Sequence, residues 1–190
     1  MSSTSPPRTA SVVRGGSLAA ALAAVALLAA APSGRAAAAP EPTRLQFTKY
    51  SPTDSRLSVV RNNRTVAVYR AGSGVNDKEC ERGRGWLPNG TYPLGRHHTA
   101  YDGNLIKGYA IELGNKLCYQ GINRTELFIH SEMTRAGGQG SQAGPEGLRW
   151  DGAGDYASHG CVKLSPQDIK SLFRTLDRNG WPTTLRVVNG

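Results

Sequence analysis

From Leu57 onward, apolar and polar side chains alternate along the chain. Leu57 and Val59 precede an Asn62-Asn63 pair, and Val66, Val68 and Arg70 follow it. Residues two apart share one face of a strand, and asparagine tolerates left-handed backbone, so this stretch predicts a β-hairpin. Gly72 and Gly74 close it. A polar loop over 76–84 leads to Leu87-Pro88-Asn89-Gly90-Thr91-Tyr92, a turn followed by a short strand. Alternation resumes at Tyr109, Ile111 and Leu113, and Gly114-Asn115 then turns the chain so that Leu117-Cys118-Tyr119 can pair back. Glu126 to His130 is a short apolar run ending in a histidine and reads as a buried strand. The period changes after residue 165. Ser165, Pro166 and Asp168 form a helix start, Ile169, Leu172, Phe173 and Leu176 recur at helical spacing, and Asn179-Gly180 ends the helix. Leu185 and Val187 mark a last strand. The fold predicted is mainly β with one principal helix (α+β), a sandwich or barrel.

Upstream of the hairpin the pattern fails. Residues 1–39 hold Arg8 and Arg14, an apolar run from Leu18 to Ala31, and the small residues Ala36 to Ala39. This is the layout of a secretory signal peptide. The run is short for a membrane span, and an uncleaved anchor is the other reading. Residues 40–55 carry prolines at 40, 42 and 52 and one short strand candidate, Leu45-Gln46-Phe47. They read as a tether, leaving 56–190 as one catalytic domain and nothing inserted in the membrane once the signal is removed.

The formal net charge of +9 stays positive after Arg8, Arg14 and Arg35 leave with the signal. A basic surface suits an anionic polymer such as a cell wall. The basic residues are scattered, and export argues against nucleic acid as a partner. His97 and His98 are adjacent with no evident partner, and no Cys/His spacing matches a metal site.

The candidate chemistry sits in Ser158-His159-Gly160-Cys161-Val162-Lys163-Leu164, with His130 upstream in Phe128-Ile129-His130-Ser131. A cysteine nucleophile needs a base that can reach it in the fold. Gly160 allows a tight turn that brings its own N–H and that of Cys161 toward a substrate carbonyl, an arrangement commonly worth about 3 kcal/mol per donor in acyl transfer. Ser158 is suited to bonding within the loop. If Cys161 is the free nucleophile, Cys80 and Cys118 are the intrachain pair that spares it. A disulfide between them fits an oxidising compartment, and two buried thiols are the alternative. The seven glycines between 137 and 154 suit a lid, on which Trp150 is either a substrate-stacking residue or a packing anchor.

The Ser158-His159-Gly160-Cys161 block, the apolar and basic residues after it, Leu164, and the upstream Ile129-His130 together resemble the L,D-transpeptidase catalytic domain of YkuD type. The resemblance runs from about Leu57 to Val188. It implies a cysteine acyltransferase acting on peptidoglycan stem peptides, with Cys161 as nucleophile, His130 moving the proton and the Ser131 carbonyl orienting the imidazole. His159, Gly160 and Ser158 complete the catalytic set, and Ser131, Lys163 and Trp150 meet substrate. It implies a secreted, wall-associated monomer with no metal or organic cofactor. Lys163 stands where the family usually has arginine or asparagine, and the interval from Ser131 to Ala157 is longer than usual. Some secreted toxins that attack peptidoglycan resemble the chain about as well in the Leu87 to Tyr92 block. With the same catalytic pair, water as acceptor would make an L,D-carboxypeptidase. A non-catalytic wall-binding module is the competing class, whereas papain-like hydrolases place cysteine before histidine, the reverse of the order here.

Overall fold

A computed structural model describes residues 41–190, so the signal-peptide reading of 1–39 lies outside the described residues. The strands and helix, in chain order, are β1 (Arg44–Lys49), β2 (Ser55–Arg61), β3 (Arg64–Ala71), β4 (Gly90–Asp102), β5 (Lys107–Leu113), β6 (Lys116–Leu117), β7 (Asn123–Arg124), β8 (Leu127–His130), β9 (Val162–Lys163), α1 (Pro166–Asn179) and β10 (Thr184–Asn189). Eight strands make one mixed sheet in the order β3-β2-β1-β10-β4-β5-β8-β9, and β6 with β7 forms a separate ribbon. The sheet does not close into a barrel. Its two ends meet at one bridge, where Gly72, just after β3, exchanges both backbone hydrogen bonds with Lys163 of β9, each 2.9 Å.

The predicted hairpin is β2 and β3, with Asn62 and Asn63 both left-handed in the turn. Cross-strand partners share a face, and Leu57 pairs with Tyr69 and Val59 with Ala67. The buried set of β3 is therefore Tyr69 and Ala71, while Val66 and Val68 face outward.

Two expectations are corrected. From Arg44 onward the stretch over 40–55 is part of the domain rather than a tether. β1 lies near the middle of the sheet, parallel to β10 (Leu45 opposite Leu185, Phe47 opposite Val187) and antiparallel to β2, and its Leu45 and Phe47 are fully buried. Its parallel partner is at the other end of the chain, beyond any local pattern. Likewise, β6 does not pair back on β5. It pairs with β7 (Lys116 opposite Arg124), which leaves Leu117 and Tyr119 exposed.

α1 begins as the sequence predicts. Ser165 Oγ accepts the Asp168 N–H at 3.1 Å, Pro166 opens the first turn, and Gly180 at φ 89° ends it. Its face of Ile169, Leu172, Phe173 and Leu176 is buried, at about 2 kcal/mol per side chain. Thr175 bonds Tyr69 Oη of β3 at 2.9 Å, which ties the helix to the sheet.

The loop over 76–87 is fastened twice. Lys49 at the end of β1 is buried, ion-paired with Glu79, and donates to the Leu87 carbonyl at 3.1 Å. Burial lowers the Lys49 pKa, and the Glu79 carboxylate opposes that shift. Cys80 is joined to Cys118 in a disulfide with a Cα separation of 5.4 Å, while Cys161 is free. Closing a span of 38 residues removes chain entropy from the unfolded state worth on the order of 4 kcal/mol. Cys80→Ser/Cys118→Ser should therefore unfold at a clearly lower temperature in thermal denaturation, by roughly 2–4 kcal/mol of stability. An unchanged Tm would mean the loop's other ties hold it without the disulfide.

Candidate active site

The loop carrying Cys161 is held by the backbone just after β3. Ser158 N–H donates to the Gly74 carbonyl (3.1 Å), and Ser158 Oγ accepts from Gly74 N–H (2.9 Å) and Gly160 N–H (3.0 Å) while donating to the Cys161 carbonyl (2.7 Å). A hydroxyl has one donor and two acceptor sites, so Ser158 is fully used in shaping this loop. Ser73 Oγ bonds the Gly160 carbonyl at 3.3 Å and accepts the Leu87 N–H at 3.0 Å, a contribution that no sequence pattern marks. Gly72 admits no side chain, since a Cβ there would lie 2.3 Å from the Pro52 carbonyl oxygen and 2.4 Å from that of Tyr156.

This arrangement corrects the expected oxyanion site. Gly160 N–H is spent on Ser158 Oγ, which leaves the Cys161 N–H as the donor of the expected pair that bonds no acceptor among the described residues. Gly160 is required for another reason. It sits at φ 114°, and a Cβ would lie 2.0 Å from Arg124 Nη2.

Parallel pairing of β8 with β9 sets Ile129 opposite Val162 and His130 opposite Lys163. Strand alternation therefore turns His130 and Lys163 to one side and Ile129 with Val162 to the other. Cys161 is one residue before β9 and His130 is opposite Lys163, so the pairing brings the two from distant parts of the chain to within two residues of each other in register. They are not hydrogen-bonded to each other. The Cys161 thiol donates to the Glu126 carbonyl at 3.6 Å, from a residue itself held at φ 56°. His130 Nδ1 donates to the Ser131 carbonyl at 3.1 Å. A carbonyl can only accept, so the neutral ring carries its proton on Nδ1 and offers Nε2 as the base.

Both groups are buried in their neutral forms. Burial pushes the Cys161 thiol up to about 11, against smaller downward pulls from the Phe128 N–H, Lys163 and Arg124. Burial also holds the His130 imidazole down to about 4, reinforced by Lys163 and opposed by the Ser131 carbonyl. The resting pair is thiol and imidazole rather than thiolate and imidazolium.

The remaining predicted site residues divide. Lys163 is buried and turns its ammonium to Glu132 as an ion pair, so it is not open to a substrate carboxylate. Burial raises the Glu132 carboxyl, Lys163 opposes that shift, and the lid acids Glu146 and Asp155 add to it. Those three acids have carboxylate oxygens within 4.8 Å of one another, and Lys163 supplies the cationic partner there. Ser131 contributes its carbonyl, while its buried hydroxyl has no partner among the described residues. The His159 side chain is exposed, and its carbonyl accepts from Arg124 at 3.4 Å. Trp150 is partly buried, packed edge-on against Tyr156 with centroids 4.8 Å apart. His97 stacks on Trp181 at 3.6 Å, and His98 bonds Glu112 at 2.9 Å, so both are committed to contacts around β4. Glu132 and Arg124 were missed by sequence reasoning, because lone charged residues carry no local signature of burial.

The profile of the L,D-transpeptidase catalytic domain family, YkuD, matches residues 49–187. The chain belongs to this family. No curated protein matches it. Among solved structures it is similar to L,D-transpeptidase 1 of Mycobacterium tuberculosis (16% identity, 77% of this chain and 62% of that one, TM-score 0.40). It is also similar to the helical cell shape determining protein Pgp2 of Campylobacter jejuni (16%, 80% and 49%, TM-score 0.49). A third is an L,D-transpeptidase from Mycobacterium smegmatis (14%, 77% and 59%, TM-score 0.37). The chain spans less than two thirds of the length of each.

The burial of this YkuD site has a direct kinetic signature. Carbamidomethylation of Cys161 by iodoacetamide, followed by intact mass, should accelerate about tenfold per pH unit from neutral toward pH 10, because the thiolate is the reactive form. A plateau already reached at neutral pH would instead indicate a resting ion pair.

Proposed function

We propose that the protein is a secreted L,D-transpeptidase that acts on peptidoglycan stem peptides through a thioester on Cys161, with His130 as acid and base. The observation that carries this reading is the parallel pairing of β8 with β9, in a YkuD domain, which sets a histidine with a free Nε2 beside the strand end that follows the only free cysteine among the described residues. The disulfide and the apolar N-terminal run support export.

The thiol leaves the Glu126 carbonyl and gives its proton to His130 Nε2 as Sγ attacks the donor carbonyl between the L- and D-centres of a tetrapeptide stem. Sulfur is an adequate nucleophile here because the proton moves with the attack, so no standing thiolate is needed. The tetrahedral oxyanion takes the Cys161 N–H. Collapse returns the proton from His130 to the departing D-residue amine and leaves the thioester. An acceptor amine from a second stem then loses a proton to His130, attacks the thioester carbonyl, and releases Cys161 as the thiol. Water in place of the amine gives L,D-carboxypeptidase activity by the same steps, on the producer's own wall or a competitor's. The cycle involves no redox change and closes on these groups.

Incubation of the mature protein with a disaccharide-tetrapeptide should give a mass adduct on Cys161 with loss of the terminal D-residue, and none with Cys161→Ala. Binding to sacculi without adduct or turnover would reassign the protein as a wall-binding module. Because His130 is held down to about 4, its base form persists in mildly acidic solution. The acid limb of the pH–rate profile for the free enzyme should therefore fall near pH 4–5 rather than near 6.5, the ordinary histidine value. A limb near 6.5 would show that His130 is solvated in the working enzyme.

A further inference from the structure

Arg124 ends β7 and is 2% exposed. Its Nη1 donates to the carbonyls of Glu79 and Trp86 (the latter at 3.1 Å), and its Nη2 to those of Gly85 (3.1 Å) and His159 (3.4 Å). All four acceptors are neutral backbone groups. The Glu79 carboxylate, in the loop that Arg124 grips, is committed to Lys49. Among the described residues no carboxylate is ion-paired with Arg124, whereas Lys163, the other cation acting on Cys161, has Glu132. A guanidinium buried without an anion is costly, and that cost is offset where a negative charge forms beside it. Three acidic groups act on Arg124: the Glu79 carboxylate is taken by Lys49, the Tyr92 phenol is held in its neutral form by burial and donates to the Pro88 carbonyl at 2.6 Å, and the Cys161 thiol is the one that loses its proton in the proposed reaction. The guanidinium rests directly on the preceding residue, since the space a Cβ of Gly160 would take is filled by Nη2.

We propose that Arg124 is a positioning residue of the nucleophile: it clamps the 159–161 loop to the 79–86 loop and provides the fixed counter-charge for sulfur as Cys161 loses its proton. The proposal rests on Cys161 being the nucleophile. The planar fork of arginine suits this double task, because it spans two loops while keeping its charge at any working pH. The Cys80–Cys118 disulfide serves the same end. It staples the loop that supplies three of the four carbonyls to the ribbon that carries Arg124, so donor and acceptors are held together. The charge acts against the burial that pushes the thiol up.

The test needs no substrate. Alkylation of Cys161 at pH 8.5 by neutral iodoacetamide and by anionic iodoacetate is compared in the wild type, Arg124→Gln and Arg124→Lys, with Tm and disulfide content as checks of folding. In Arg124→Gln, iodoacetamide should react about tenfold more slowly, the equivalent of one pH unit in thiolate. Iodoacetate should slow further, lowering the iodoacetate-to-iodoacetamide rate ratio at least about threefold as the local positive charge is lost. Arg124→Lys should keep the ratio near that of the wild type. A purely structural clamp would change both rates by one common factor, and an unchanged ratio in Arg124→Gln overturns the proposal. Should that variant not fold, Gly160→Ala, which displaces the guanidinium, decides by the same ratio. Failure to acylate with stem peptide while the ratio behaves as expected would count against the peptidoglycan reading and leave Arg124 in place.

Discussion

The hydroxyl of Ser158 is the constraint on which the site depends. It gathers the Gly160 N–H and the Cys161 carbonyl of its own turn together with the Gly74 N–H from the chain just after β3. With Gly72 and Lys163 bonded to each other, this joins β9 to the backbone that follows β3. Two ends of an open sheet are thereby brought together beside Cys161. The loop keeps its shape because the N–H groups of Ser158 and Gly160 and the carbonyls of His159, Gly160 and Cys161 are committed, which is also why only one of the two expected oxyanion donors is free.

Burial shapes the chemistry as strongly as geometry does. A cysteine and a histidine removed from water both favour their neutral forms, one by a raised and the other by a lowered pKa. A thiol in this condition reacts slowly with adventitious electrophiles, because the thiolate is the reactive form. The charges around it are arranged accordingly. Lys163 is neutralised by Glu132, whereas Arg124 is bonded only to backbone carbonyls.

The two buried cations of the 76–87 region show how one loop can be made part of a site. Lys49 fixes the loop to β1 through Glu79, and Arg124 fixes the same loop to that of Cys161 through backbone carbonyls. The disulfide crosses between them. Loss of any one tie leaves two others, so the loop is held by overlapping restraints rather than by its own secondary structure.

Much of this protein was determined by local sequence. Alternation placed the hairpin, β5 and β8, the Ser165-Pro166-Asp168 start and the apolar spacing placed α1, and the block around Cys161 with an upstream histidine identified the candidate pair. These are short-range properties: a strand face, a helix cap and a turn are decided by residues within a few positions of one another. What lay outside that range was decided by tertiary structure alone. β1 belongs to the domain because its parallel partner is β10, some 140 residues away. Val66 and Val68 are outside because register with β2 turns Tyr69 inward. Lys163 faces Glu132 rather than open space and Arg124 reaches the His159 carbonyl of the Cys161 loop, each through a contact between residues far apart in the chain. A lone charged residue reads as solvated surface in a sequence. Only packing shows when it is buried, and burial is what gives its charge chemical weight.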